Sequence, residues 1–134
     1  MNKAKANEFI LSNLEADDKL VGFFFAQGRF PILWFFLIGP FAMLMLRQYY
    51  VAISEKGVYF IKLNPLGKPS NLDMMSFPDI ESVKIGNGAL QRPMLFHFNN
   101  GKKLKIKAQL KGVKSVATLT PEVQAHLESN VQTV

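Results

Sequence analysis

The sequence contains no cysteine, so neither a disulfide framework nor a thiolate metal site can form. That absence fits a reducing compartment. Its two histidines, His97 and His126, have no metal-ligand spacing, and no carboxylates cluster as a hard cation would need. Nothing in the spacing of serine, histidine and aspartate links them into a nucleophile and its base. Gly86-Asn87-Gly88 and Asn100-Gly101 read as turns, without the strand-to-helix context of a phosphate loop. We therefore expect no enzyme activity and no cofactor. Acidic residues are missing between Ser82 and Pro121, where eight basic residues fall: Lys84, Arg92, Lys102, Lys103, Lys105, Lys107, Lys111 and Lys114. Such a block favours an anionic partner, a membrane surface or nucleic acid.

Charge of either sign is absent from residues 30–46, FPILWFFLIGPFAMLML, which Arg29 and Arg47 bracket. At about 1.5 Å per residue these 17 residues reach roughly 25 Å as a helix, short of a hydrocarbon core of about 30 Å. Gly39-Pro40 divides them into two arms too short to span, because proline removes a helix donor and biases the residue before it. Three readings stand: a shallow re-entrant hairpin, a kinked short span, or burial in protein as a core helix or subunit interface. In the membrane readings Trp34, Phe35, Phe36, Leu37, Phe41 and Leu44 contact lipid, with the arginines at the headgroups. The run follows a charge-balanced stretch with acids in it, unlike a cleaved signal peptide.

At 134 residues one domain is the default, and residues 47–134 are enough for one small core. The charge is uneven: residues 1–29 net to zero, whereas residues 47–134 hold 12 basic and 6 acidic side chains. Residues 4–14 read as an amphipathic helix, with Ala6, Phe9, Ile10 and Leu14 on one face. Residues 19–27, KLVGFFFAQ, form a strand buried on both faces. Residues 49–63 form a hairpin. A three-residue loop, Glu55-Lys56-Gly57, pairs Val51 with Ile61 and places Tyr49, Val51, Ile53, Tyr59, Ile61 and Leu63 on one face. Strands follow at 72–77 and 80–85. A second hairpin, 94–98 with 102–108, turns through residues 99–101 and pairs Phe96 with Leu104 and Met94 with Ile106. A final helix starts at the cap Thr120, with Pro121 at its first position. It carries Val123, Leu127 and Val131 as an apolar stripe that plugs the sheet, and His126 on its exposed side.

This is an α+β plan of short antiparallel strands closed by a helix. YYVAISEKGVYFIKL, SFPDIESVKIG, LFHFNNGKKLKIKA and the final helix resemble the bacterial pleckstrin-homology-like (PH-like) domains, over roughly residues 47–131. NLEADDKLVGFFFAQG resembles the segment that precedes such a domain, and an apolar insertion is similar to membrane-associated members. The resemblance implies a partly open antiparallel barrel, or two-sheet sandwich, capped by the C-terminal helix. It implies a non-catalytic binding or scaffolding role at the membrane, often as an oligomer. The expected organisation is thus a leader packing on the domain (1–29), an apolar membrane-associated segment (30–46) and a PH-like domain (47–134). Relatives that bind phosphoinositides carry several basic residues around the first hairpin loop. Glu55-Lys56-Gly57 has one base and one acid, so specific phosphoinositide recognition is not expected.

Lys103, Lys105 and Lys107 alternate with Leu104, Ile106 and Ala108, so the lysines share one strand face. They either blunt an edge strand or contact anionic headgroups, each contributing about 1 kcal/mol near such a surface. The expected partner is membrane lipid at the cytoplasmic face of the cell membrane, with a homo-oligomer or a membrane protein as further partners. A soluble oligomer using residues 30–46 as its interface is the alternative. Nucleic acid fits less well, because the expected register puts Phe96 and Phe98 on the face opposite the lysines.

Overall fold

Asn2 caps the first helix, its Oδ1 accepting from Lys5 N at 2.9 Å, and Leu14 ends it in extended backbone. The structure, a computed structural model, describes residues 2–28, 48–110 and 117–134. The elements run α1 (Lys3–Asn13), β1 (Leu20–Gly28), β2 (Gln48–Ser54), β3 (Gly57–Leu63), β4 (Pro69–Ser76), a 3-10 turn (Phe77–Asp79), β5 (Ile80–Ile85), β6 (Gln91–Phe98), β7 (Lys103–Gln109) and α2 (Pro121–Asn130). The strands form one antiparallel sheet in the order β4-β3-β2-β1-β7-β6-β5.

The sheet curls. Phe60 of β3 meets Phe96 and Phe98 of β6 at ring-centroid distances of 5.2 and 5.9 Å, although three strands separate β3 from β6 in the hydrogen-bonded order. The inner face holds Phe24, Val51, Ile53, Val58, Phe60, Val83, Phe96 and Ile106, with Val123, Leu127 and Val131 of α2 closing it. This is the plug expected from the apolar stripe, and Thr120 Oγ1 caps the helix by accepting from Val123 N. The outer face of β1–β4 is apolar too: Tyr50, Ala52, Tyr59, Ile61 and Leu63 pack under Ala6 and Ile10 of α1.

Four expectations need correction. First, β1 belongs to the leader expected to pack on the 47–134 domain, and its place in the sheet was not foreseen. It is the central strand, paired with β2 over its length and with β7 through Ala26↔Ala108, Gln27↔Lys107 and Gly28↔Ile106. Second, the first hairpin is shifted by one residue. Ile53 pairs with Val58 and Val51 with Phe60, so the connection is Glu55-Lys56 and Gly57 is already in β3. Tyr49, Val51 and Ile53 therefore face inward with Val58 and Phe60, while Tyr59, Ile61 and Leu63 face α1. Gly57 is needed for space, since a Cβ there would lie 2.3 Å from the Met75 carbonyl oxygen of β4. Third, β4 begins at Pro69 and Phe77 belongs to the turn after it. Fourth, His126 is half-buried, with Nε2 3.2 Å from the Ser54 carbonyl oxygen and its ring 5.9 Å from that of Phe77.

The second hairpin has the expected register, with Met94 opposite Ile106 and Phe96 opposite Leu104. Gly101 supplies the turn's left-handed residue at φ 86°. Residues 117–119 lie extended where β1 and β7 diverge: Phe25 N donates to the Ala117 carbonyl and Leu119 N to the Gln109 carbonyl. The chain's end covers part of the free β5 edge, Thr133 bridging Val83 in parallel, which removes an exposed pairing site.

Candidate functional site: one basic end of the sheet

Strand pairing brings several features to one end of β1–β3. Gln27 pairs with Gln48, and Gln48 with Leu63. The end of β1 and the start of β2, which flank residues 29–47 in sequence, therefore lie side by side, and the loop that follows β3 leaves from the same end. Lys107 lies opposite Gln27 on one flank, and Lys62 opposite Tyr49 on the other. Both lysines are exposed, as are Lys68 and Lys105. The far end of the same strands carries the acids. Glu15, Asp17 and Asp18 sit in the turn before β1, and Glu55 in the β2–β3 connection, with Lys19 and Lys56 among them.

Lys103, Lys105 and Lys107 are exposed on the outer face of β7, while Ile106 and Ala108 are buried inside. Leu95 lies between Lys84 and Lys105 in cross-strand register, and His97 lies opposite Lys103. A shallow apolar cleft of about 170 Å³ among Lys84, Pro93, Leu95 and Lys105 interrupts this basic face. Lys107 lies where β7 pairs with β1, whereas Lys103 and Lys105 lie on the stretch of β7 beyond Gly28, the last described residue of that pairing. Phe96 and Phe98 are buried on the opposite face, as the sequence indicated.

A second feature is the mouth between β3–β4 and the β6–β7 hairpin, a cleft of about 430 Å³. Tyr49, Phe60, Met75 and Phe98 line its apolar part, and Lys62, Lys102, Lys103 and Asp73 its polar part. A third cleft, of about 260 Å³, holds Arg92, which donates to Gln124 Oε1; its Nε is buried with no partner among the described residues.

Sequence reasoning singled out Lys103, Lys105 and Lys107 but missed Lys62 and Lys68. Both fall on this end only once the sheet order is known. Trp34, Phe35, Phe36, Leu37, Phe41 and Leu44, with the hairpin expected at 30–46, lie outside the described residues. Among the described residues no helix is long and apolar enough to cross a membrane, and no group of histidine or acidic residues could hold a metal ion.

No protein-family model matches the sequence, and no curated protein matches it. The fold is similar to a solved structure, the hSac2 domain from the human phosphoinositide phosphatase Sac2. The match has a TM-score of 0.61 at 14% identity and covers 95% of this chain and 78% of that one. At that identity the likeness concerns the fold alone, and it supports the PH-like fold that the sequence resemblance implies.

Proposed function

We propose that the chain is a non-catalytic PH-like module that docks on an anionic membrane surface, with residues 30–46 as its apolar anchor and the lysine-rich end of the sheet against the headgroups. The observation that carries this reading is the convergence of both ends of the uncharged run with Lys62, Lys68, Lys105 and Lys107 at one end of β1–β3. A stretch whose flanks meet within one antiparallel pair starts and finishes on one side of a bilayer, which favours re-entry over a single kinked span. With β1 and β2 in one sheet, α1 and α2 lie on that side as well, which we propose is the cytoplasmic one. Lysines each contribute about 1 kcal/mol near an anionic surface, too little alone but useful beside an apolar anchor.

The fold's likeness to a domain of a phosphoinositide phosphatase is compatible with a lipid-facing or scaffolding role. A nucleic-acid platform would need rings and cations on one exposed face, and the phenylalanines of β6 are buried away from the lysines.

Co-sedimentation with vesicles tests the proposal. Full-length protein should pellet with vesicles of mixed phosphatidylcholine and phosphatidylserine. Changing Lys103, Lys105 and Lys107 together to Gln should weaken that binding roughly ten- to hundredfold and leave binding to pure phosphatidylcholine unchanged. Recovery of untagged protein in the supernatant with both kinds of vesicle would refute the membrane reading and leave the soluble oligomer in its place.

A further inference from the structure

The loop joining β3 to β4, residues 64–68, is short, internally pinned and apolar at its tip. Asn64 organises it: its Oδ1 accepts from Leu66 N at 3.0 Å and from Lys68 N at 2.9 Å. Its backbone N donates to the Lys68 carbonyl at 2.8 Å, and its carbonyl accepts from Gly67 N at 2.8 Å. Gly67 takes φ 79°, which closes the turn at no steric cost. Pro65 further reduces the loop's freedom. The outcome is that Leu66 is held 82% exposed, more than Leu11, Leu90 or Val134.

A single exposed leucine is ordinary. Three observations set this one apart. The loop is ordered by its own hydrogen bonds, so little entropy is lost when it binds. Lys62 and Lys68 flank it, both exposed. It also leaves the sheet at the end where the uncharged run is rooted: Leu63 pairs with Gln48, and Gln48 with Gln27, so two strand spacings, about 10 Å, separate loop from root. An apolar tip between two ammonium groups, beside an uncharged segment, matches a bilayer interface with acyl chains below and phosphates at the rim.

We infer that the β3–β4 loop is a second point of membrane attachment: Leu66 enters the acyl–headgroup boundary while Lys62 and Lys68 contact lipid phosphates. The inference rests on the membrane reading above and adds an orientation to it. Two anchors on one end hold the sheet with β1–β3 steeply inclined to the membrane plane and the acidic turn at Glu15 to Asp18 facing away from it.

The chain's lack of cysteine gives a clean test. An environment-sensitive nitrobenzoxadiazole dye is attached at Leu66→Cys and, separately, at Glu55→Cys on the opposite end. Each protein is mixed with phosphatidylcholine–phosphatidylserine vesicles carrying a lipid-borne quencher. The dye at 66 should shift to the blue, brighten and be quenched, while the dye at 55 stays as in buffer. In unlabelled protein Leu66→Asp should weaken vesicle binding by roughly tenfold and leave the thermal midpoint unchanged, since the side chain packs on little. Sedimentation with vesicles combined with an unchanged signal at 66 overturns the loop's role and leaves the docking proposal standing. Equal responses at 55 and 66 overturn the orientation. A chain that does not sediment overturns both, and a partner protein becomes the occupant to seek.

Discussion

Asp18 shows how much one side chain ties together. Oδ1 accepts from the backbone N of Lys19 and Lys56, and Oδ2 from Ser54 Oγ and the Tyr59 hydroxyl, so the α1–β1 turn is locked to the first hairpin. The backbone N of Glu15 donates in turn to the Tyr59 oxygen. Burial alone would raise the Asp18 pKa, but the bonds from Ser54, Tyr59, Lys19 and Lys56 outweigh it, and the carboxyl lies below its ordinary 3.8. The stability this contributes is present above about pH 3.8 and is lost as pH falls through the folded-state value. The opposite sign holds for Tyr59, pushed up from 10.0 to about 12 by burial and by its bond to Asp18. Its contribution is present below pH 10 and disappears as pH rises towards 12. Urea midpoints followed against pH should therefore show a flatter acid limb in Asp18→Asn and a flatter alkaline limb in Tyr59→Phe. Asp18→Asn should also cost roughly 1–3 kcal/mol at neutral pH. Profiles parallel to the parent's would mean that these bonds do not govern the titration.

Among the elements, β1 and α2 meet at a contact with little room to spare. A Cβ on Gly22 would lie 2.4 Å from Val123 Cγ2, and valine has no flexible end to move aside. Gly22→Ala should cost about 1–3 kcal/mol in chemical denaturation, and Val123→Ala in the same chain should recover part of that loss. Strictly additive costs would show that α2 sits further from β1. Much of this element layer was legible from sequence. The cap at Thr120, the stripe Val123, Leu127 and Val131, and the register of the second hairpin were all readable, because β6 and β7 alternate apolar with polar residues. The first hairpin was misread for the converse reason. Its strands are buried on both faces, one by the sheet's interior and one by α1, so a one-residue slip costs nothing visible in the pattern. Gly57 reinforced the error by resembling a turn glycine when its task is to admit β4. At the site, the lysines of β7 could be found by alternation. Lys62 and Leu66 could not, since their relevance comes from pairings that cross strands.

For the whole molecule, the central position of β1 decides what can fold alone. Its pairing with β2 on one side and β7 on the other joins two three-stranded ribbons, and Phe24 and Ala26 sit in the common core. Residues 47–134 expressed without β1 should give no cooperative thermal transition by near-ultraviolet circular dichroism. A sharp transition matching the full chain's would show that the two ribbons close on each other without it.

That position also sets an order of events. β2 to β4 and β5 to β7 are meanders with connections of a few residues, each able to form locally and fast. β1 must close 19 intervening residues to reach β2, and it meets β7 only near the end of the chain. Loop-closure entropy grows with the logarithm of the separation, so the β1–β7 join is the costliest in the sheet. During synthesis the first strand made is therefore the last to be completed. Phe23, Phe24 and Phe25 wait on the ribosome's product for a partner that does not yet exist, and the uncharged run emerges directly behind them. On the membrane reading proposed above, early capture of the run would hold the adjoining ends of β1 and β2 together and shorten that wait.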